Sequence, residues 1–169
     1  MIILETTRLV LKTIEKEDSQ VLYDLVFSDI EIIQSTLGKV PFTLEETKKF
    51  IYKNFCKNNA IIGLAPLFEK RTGQIVGLAG TLENKELGKD CFEIYCIIAK
   101  DYQNNEYASE VIQSEIVFLK KRLKQKKAFV LIDTQDEISK KIFSKMRLSF
   151  EKDIILENRG EKEVYSKNL

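Results

Sequence analysis

Chemistry in this sequence concentrates between Cys91 and Glu110. Phe92–Ile98 is a short apolar run rich in aromatic and β-branched residues, a strand pattern. Asp101–Asn105 interrupts it with turn-forming residues. From Tyr107 the apolar spacing becomes helical, through Ala108, Val111, Ile112, Ile116, Leu119 and Leu123. A strand feeding a helix through a polar loop presents free backbone N–H groups at the helix start. Here that start covers Gln103, Asn104, Asn105, Glu106, Tyr107 and Ala108, and such groups suit a phosphate or another anion. The chain has no histidine. That excludes histidine general bases, Ser-His and Cys-His nucleophiles and most zinc sites. Acid–base chemistry falls to carboxylates, tyrosines, cysteines, lysines or water.

The whole chain sets bounds on what these residues serve. At 169 residues it reads as one domain spanning 1–169, large enough for a substantial core. Its 44% hydrophobic and 31% charged content is ordinary for a globular protein. A net charge of +1 gives no overall attraction to nucleic acid. No apolar run reaches membrane-span length, and the N-terminus lacks signal-peptide architecture. Cys56, Cys91 and Cys96 lack metal-ligand spacing and read as reduced thiols of a cytoplasmic protein. The basic run Lys120–Lys127 complements a helix C-terminus. A phosphate or RNA contact there is the minority reading, because aromatic residues are not interleaved with the cations.

Taken in order, 7–14 reads as a strand, and Val21, Leu22, Leu25 and Val26 begin a helix running toward Ile33. Thr43 and Glu46 form a capping box before a helix carrying Phe50, Ile51 and Phe55 and ending near Asn58. Residues 60–68 and 74–83 read as an antiparallel hairpin, with Pro66 pointing to an edge or bulge. The 92–98 strand, the helix from Tyr107, a strand over Lys127–Asp133 and a helix over Glu137–Met146 follow. A closing hairpin turns at Asn158-Arg159-Gly160. This is an α/β chain: a mixed, mostly antiparallel central sheet with one parallel pair and helices on both faces.

That order resembles the GNAT acetyltransferases over nearly the whole chain, nearest the ribosomal-protein-alanine (Rim-type) branch. Gln103-Asn104-Asn105-Glu106-Tyr107-Ala108 falls on that family's Gln/Arg-x-x-Gly-x-Gly/Ala loop, matching at Gln103 and Ala108. Thr6-Thr7-Arg8-Leu9-Val10-Leu11-Lys12, Gly73-Gln74-Ile75-Val76-Gly77, Glu93-Ile94-Tyr95, and Tyr107-Ala108-Ser109-Glu110 are similar to its other motifs in the right order. Asp136 to Ser139 falls where the family often has Asn-x-x-Ser.

The resemblance implies acetyl-CoA as co-substrate and transfer of its acetyl group to a primary amine, on a protein N-terminus or a small molecule. It implies a splayed strand pair, with pantetheine between 93–98 and 127–133 touching Ile97 and Ile98. The pyrophosphate would sit on the 103–108 loop, with Asp136, Ser139 and Phe143 nearby. Glu93 is then the candidate general base, its alternative being a salt-bridged strand residue, and Tyr95 is a second candidate. Dimers are common in this family.

Three positions depart from the pattern. Glu106 replaces the loop glycine. A carboxylate ~4 Å from a diphosphate oxygen at an effective dielectric near 20 repels by roughly 4 kcal/mol, whereas one pointing outward is harmless. Arg147, or Ser149 in a register two residues later, replaces the glycine after the last helix. Phe143 stands where many members carry a tyrosine that protonates the departing thiolate, leaving Ser139 as the substitute donor. Two functional readings result: an N-acetyltransferase, or a GNAT-fold binding module that has lost turnover.

Overall fold

The computed structural model describes residues 1–169. Eight strands form one sheet: β1 (Ile2–Glu5), β2 (Leu9–Lys12), β3 (Gly63–Glu69), β4 (Ile75–Glu83), β5 (Phe92–Ile98), β6 (Lys127–Asp133), β7 (Ser149–Leu156) and β8 (Gly160–Asn168). Their order is β1-β2-β3-β4-β5-β6-β8-β7. Every neighbouring pair is antiparallel except β5 and β6, which are parallel as a strand–helix–strand crossover requires. The expected fold class, mostly antiparallel with one parallel pair, is the one observed.

The helices are α1 (Asp18–Leu22), α2 (Ile30–Ser35), α3 (Leu44–Asn54), α4 (Tyr107–Lys121) and α5 (Glu137–Lys145). Leu22, Val26, Phe27, Ile33, Ile51 and Phe55 pack on Leu64, Leu78 and Ile97, so α1–α3 cover one face of the sheet. Ile112, Ile116, Leu119 and Phe143 pack with Ile94, Val130 and Ile132, so α4 and α5 cover the other. No helix is long and apolar enough to cross a membrane.

Local chemistry explains where sequence expectation and structure part. The strand expected over 7–14 is shorter, Leu9–Lys12, and an additional N-terminal strand, Ile2–Glu5, pairs with it in an antiparallel hairpin. The helix expected from Val21 to Ile33 is broken. α1 runs into a π-helical turn, Tyr23–Phe27, and Asp29 then caps α2 by accepting from the N–H groups of Glu31 and Ile32. The Thr43–Glu46 capping box forms, but α3 stops at Asn54. Pro66 lies one residue outside the β2–β3 ladder, beside a register shift at Leu67/Phe68, where a missing N–H costs little. The basic residues after Lys120 gather at the C-terminal end of α4, a helix of 15 residues and thus about 20 Å from the loop that starts it.

Glu115 stands out in the core. It lies on α4 at 2% exposure and accepts a hydrogen bond from the Thr81 hydroxyl at 2.9 Å. Burial pushes its carboxyl up to about 7. The folded state therefore holds a proton that the unfolded state releases near 4.5, so stability falls as pH rises from 4.5 to 7. The loss approaches about 3 kcal/mol at 1.36 kcal/mol per pKa unit. Urea denaturation of native chain and Glu115→Gln at pH 5 and pH 8 should show this slope in the first and lose most of it in the second.

Candidate active site

β5 and β6 share one bridge, Glu93↔Phe129, and then diverge toward their C-terminal ends. The β6-facing edge of β5 beyond Glu93 has no ladder partner along Ile94–Ile98, while its other edge stays paired with β4. Ile97 and Ile98 lie on this parted stretch with their side chains buried on opposite faces, toward α1–α3 and toward α4.

The chain leaves β5 into the 103–108 loop. Gln103 donates from its side chain to the Ile98 carbonyl at 3.0 Å, and Asn105 donates to the Tyr102 carbonyl at 3.0 Å. Asn104 and Glu106 adopt left-handed backbone, φ 65° and 61°. The N–H groups of Asn104, Asn105, Glu106, Tyr107, Ala108 and Ser109 find no acceptor within the chain; the first to do so is Glu110, bonded to the Glu106 carbonyl. A helix start with alternating left-handed residues forms a concave row of donors that fits a diphosphate. The Glu106 side chain is exposed.

The loop is braced from the N-terminus. Glu110 accepts from the Thr6 hydroxyl at 2.6 Å, the Arg8 N–H at 2.8 Å and the Arg8 guanidinium at 2.7 Å. Burial opposes ionisation of Glu110, but these donors outweigh it and hold the carboxyl below its ordinary value. Arg8 also donates to the Asn105 carbonyl at 2.8 Å and stacks over the Tyr107 ring at 4.6 Å. The Tyr107 hydroxyl donates to Glu69. The N-terminal Thr-x-Arg-Leu stretch and the Tyr-Ala-Ser-Glu helix start, read separately in sequence, are thus one interaction.

The model of the acetyltransferase (GNAT) domain matches residues 8–149. The chain belongs to the GNAT acetyltransferase family. No curated protein matches it in sequence. Among solved structures, a GNAT-family acetyltransferase from Bacillus anthracis superposes at TM-score 0.81 with 19% identity, covering 99% of this chain and 98% of that one. Spermidine N-acetyltransferase from Vibrio cholerae, in complex with CoA and spermine, gives 0.77 with 14% identity over 96% of each chain. A ribosomal L7/L12 alpha-N-protein acetyltransferase in complex with coenzyme A gives 0.77 with 14% identity, covering 100% of this chain and 98% of that one. At these identities the likeness establishes the fold.

Within this GNAT chain both residues that stand where glycine was expected adopt left-handed backbone. Glu106 is one; Arg147, at φ 62° after α5, is the other, which fixes the register as Lys145-Met146-Arg147-Leu148. Each left-handed non-glycine costs about 1–2 kcal/mol, so the surrounding contacts hold them there.

The sequence-expected catalytic side chains are otherwise engaged. Glu93 is 1% exposed. It accepts from Arg159 through both oxygens, at 2.8 and 3.0 Å, and from Asn84 at 2.9 Å. The salt-bridged alternative for Glu93 is the arrangement present, and a carboxylate so saturated is no free base. The Tyr95 hydroxyl accepts from Arg159 at 3.0 Å, and burial, with Glu93 adding to it, raises its pKa and keeps it protonated. Asp136 caps α5, accepting from the Ser139 N–H at 3.0 Å and the Ser139 hydroxyl at 2.6 Å, so this proton is already committed. Phe143 packs in the core beneath α5, among Ile112, Ile132 and Leu148. As the chain stands, Ser139 and Phe143 form cap and core.

Sequence reading missed Arg159 and Lys162. Arg159 looked like an ordinary turn residue, since nothing local marks a side chain that reaches Glu93. Lys162, 1% exposed, pairs with Asp133 at 3.3 Å, and burial lowers its ammonium pKa. Its pairing follows from the register that sets it opposite Asp133 on β6, which no local sequence pattern marks.

Replacing Arg8 with alanine should release Glu110 and the Asn105 carbonyl together. We expect faster amide hydrogen exchange over 104–109 and roughly tenfold weaker coenzyme A binding by calorimetry, about 1.4 kcal/mol. Unchanged exchange in the loop would contradict the brace.

Proposed function

We propose that the chain is an acetyl-CoA-dependent N-acetyltransferase of the cytoplasm, one domain over 1–169, moving an acetyl group to a primary amine. The observation that carries this reading is the row of unpartnered N–H groups over Asn104–Ser109 at the mouth of the parted β5–β6 pair. Acetyl-CoA, when bound, supplies the thioester that the amine nitrogen attacks directly.

The residues present fit that group. The loop donors balance a diphosphate without a lysine. The unpaired edge of β5 at Ile94–Ile98 would offer backbone groups to an extended pantetheine arm, and a β5 N–H there would polarise the thioester carbonyl. Glu93 is the carboxylate at the strand vertex, and it could accept the amine's proton through water only once Arg159 has left it. With Ser139 held by Asp136 and Phe143 in the core, no side chain here is free to protonate the leaving thiolate, and its proton would come from water.

Protein N-terminal amines, as in the Rim-type branch, and polyamines, as in the Vibrio cholerae neighbour, are the two acceptor classes supported by likeness. The saturated Glu93 favours one alternative, a GNAT-fold module that binds CoA without turnover.

Calorimetry with acetyl-CoA, followed by thiol release in the presence of an amine panel, separates these readings. Native chain should bind at micromolar levels. Glu106→Gly should bind no more than about tenfold tighter, because an exposed charge is screened. Amine-dependent thiol release establishes the enzyme; binding without release establishes the module; no binding by either chain contradicts both.

A further inference from the structure

Arg159 makes an unusual set of contacts for a residue on a hairpin turn. Its Nε donates to the Thr36 carbonyl at the end of α2 at 3.0 Å. Nη1 donates to Glu93 and to the Tyr95 hydroxyl, each at 3.0 Å, and Nη2 donates to Glu93 at 2.8 Å. The guanidinium carbon lies 5.0 Å from the Tyr95 ring centroid. A buried carboxylate, an aromatic ring, a hydroxyl and a carbonyl together make a cation receptor. The cation seated in it is the chain's own.

Its position matters. Glu93 marks the vertex where β5 and β6 part, and α4 and α5 close one face of that opening. On the other face α1–α3 pack on β3, β4 and β5 only, so the approach for an acceptor lies between the end of α2 and the β7–β8 turn. Arg159 bridges those two walls. The neighbouring turn residues, Glu157 and Asn158, are exposed and make no side-chain hydrogen bond, so the Arg159 side chain can leave without disturbing other contacts of the turn.

We propose that Arg159 is an internal occupant of the acceptor's cation subsite, a latch that a cationic amine must displace, and that displacement frees Glu93 to receive the amine. The ligand class is an alkylguanidinium or alkylammonium ion. This rests on the transferase reading above for its consequence in catalysis, but the receptor itself does not depend on acetyl transfer. It also reconciles a carboxylate in the family's base position with its present saturation: Glu93 is held in reserve rather than lost.

Methylguanidinium is the probe. In Arg159→Ala it should raise Tm by a few degrees beyond an equal concentration of potassium chloride, as ligand binding to the folded state requires. The native chain and the Arg159→Ala/Glu93→Gln double variant should show no such selective rise. Equal response of all three chains, or none in Arg159→Ala, overturns the receptor. Arg159→Lys, which keeps Glu93 compensated, is the second variant and guards against a failure of Arg159→Ala to fold. Its shorter side chain cannot reproduce the guanidinium fork, so kcat/KM for small cationic amines should rise about tenfold, mainly through KM, as the open fraction grows. An unchanged or lower kcat/KM in an active enzyme overturns the latch. Selective rescue by methylguanidinium with no turnover in any variant overturns the transferase reading and supports the receptor.

Discussion

The parting of β5 from β6 is the constraint on which the site depends. A parallel pair held by one bridge leaves strand-edge groups unpaired in the middle of a sheet, where they would ordinarily be costly. The sheet tolerates this because both partners are fixed elsewhere, β5 by its full ladder with β4 and β6 by its full ladder with β8. Gly77 contributes on the β4 side: a Cβ there would lie 2.0 Å from the Ile97 carbonyl oxygen, so the two strands approach as closely as they do only because that position is bare. At the vertex, Glu93 and Arg159 tie β5 to the β7–β8 turn and to α2. Losing one partner of such a buried pair costs about 3–5 kcal/mol, because the other is left uncompensated.

Donor groups at the loop follow from a second constraint. Six N–H groups in succession remain open only if the backbone turns through left-handed conformations at Asn104 and Glu106. Asparagine tolerates that region; glutamate does so at a cost. Arg8, just ahead of β2, holds the adjoining helix turn in place through Glu110 and Tyr107, and lies 102 residues before Glu110 in the chain. The first strand hairpin thus belongs to the site as much as the loop does.

Much of this was legible in sequence where the signal was local. The period of the apolar residues located β5, α4 and β6, and the polar break between Ile98 and Tyr107 located the donor loop. The Thr43–Glu46 box was read correctly because capping needs only four residues. What could not be read were long-range pairings of single residues. Arg159 with Glu93, Arg8 with Glu110 and Lys162 with Asp133 each join residues that lack any local pattern tying them together. Glu106 and Arg147 were marked as standing where glycine was expected, but that both adopt left-handed backbone could not be read, because tertiary contacts hold a non-glycine there and leave no mark in composition. The break at Asp29 was hidden because the apolar spacing continues through it, and the cap is decided by one side chain.

The central claim is that the N–H groups from Asn104 to Ser109 form the anion seat. It is tested most directly by titrating coenzyme A into ¹⁵N-labelled protein and following the amide resonances. The account predicts that these six amides shift together and saturate with one affinity. Saturable binding that leaves them unmoved while other amides shift would contradict it.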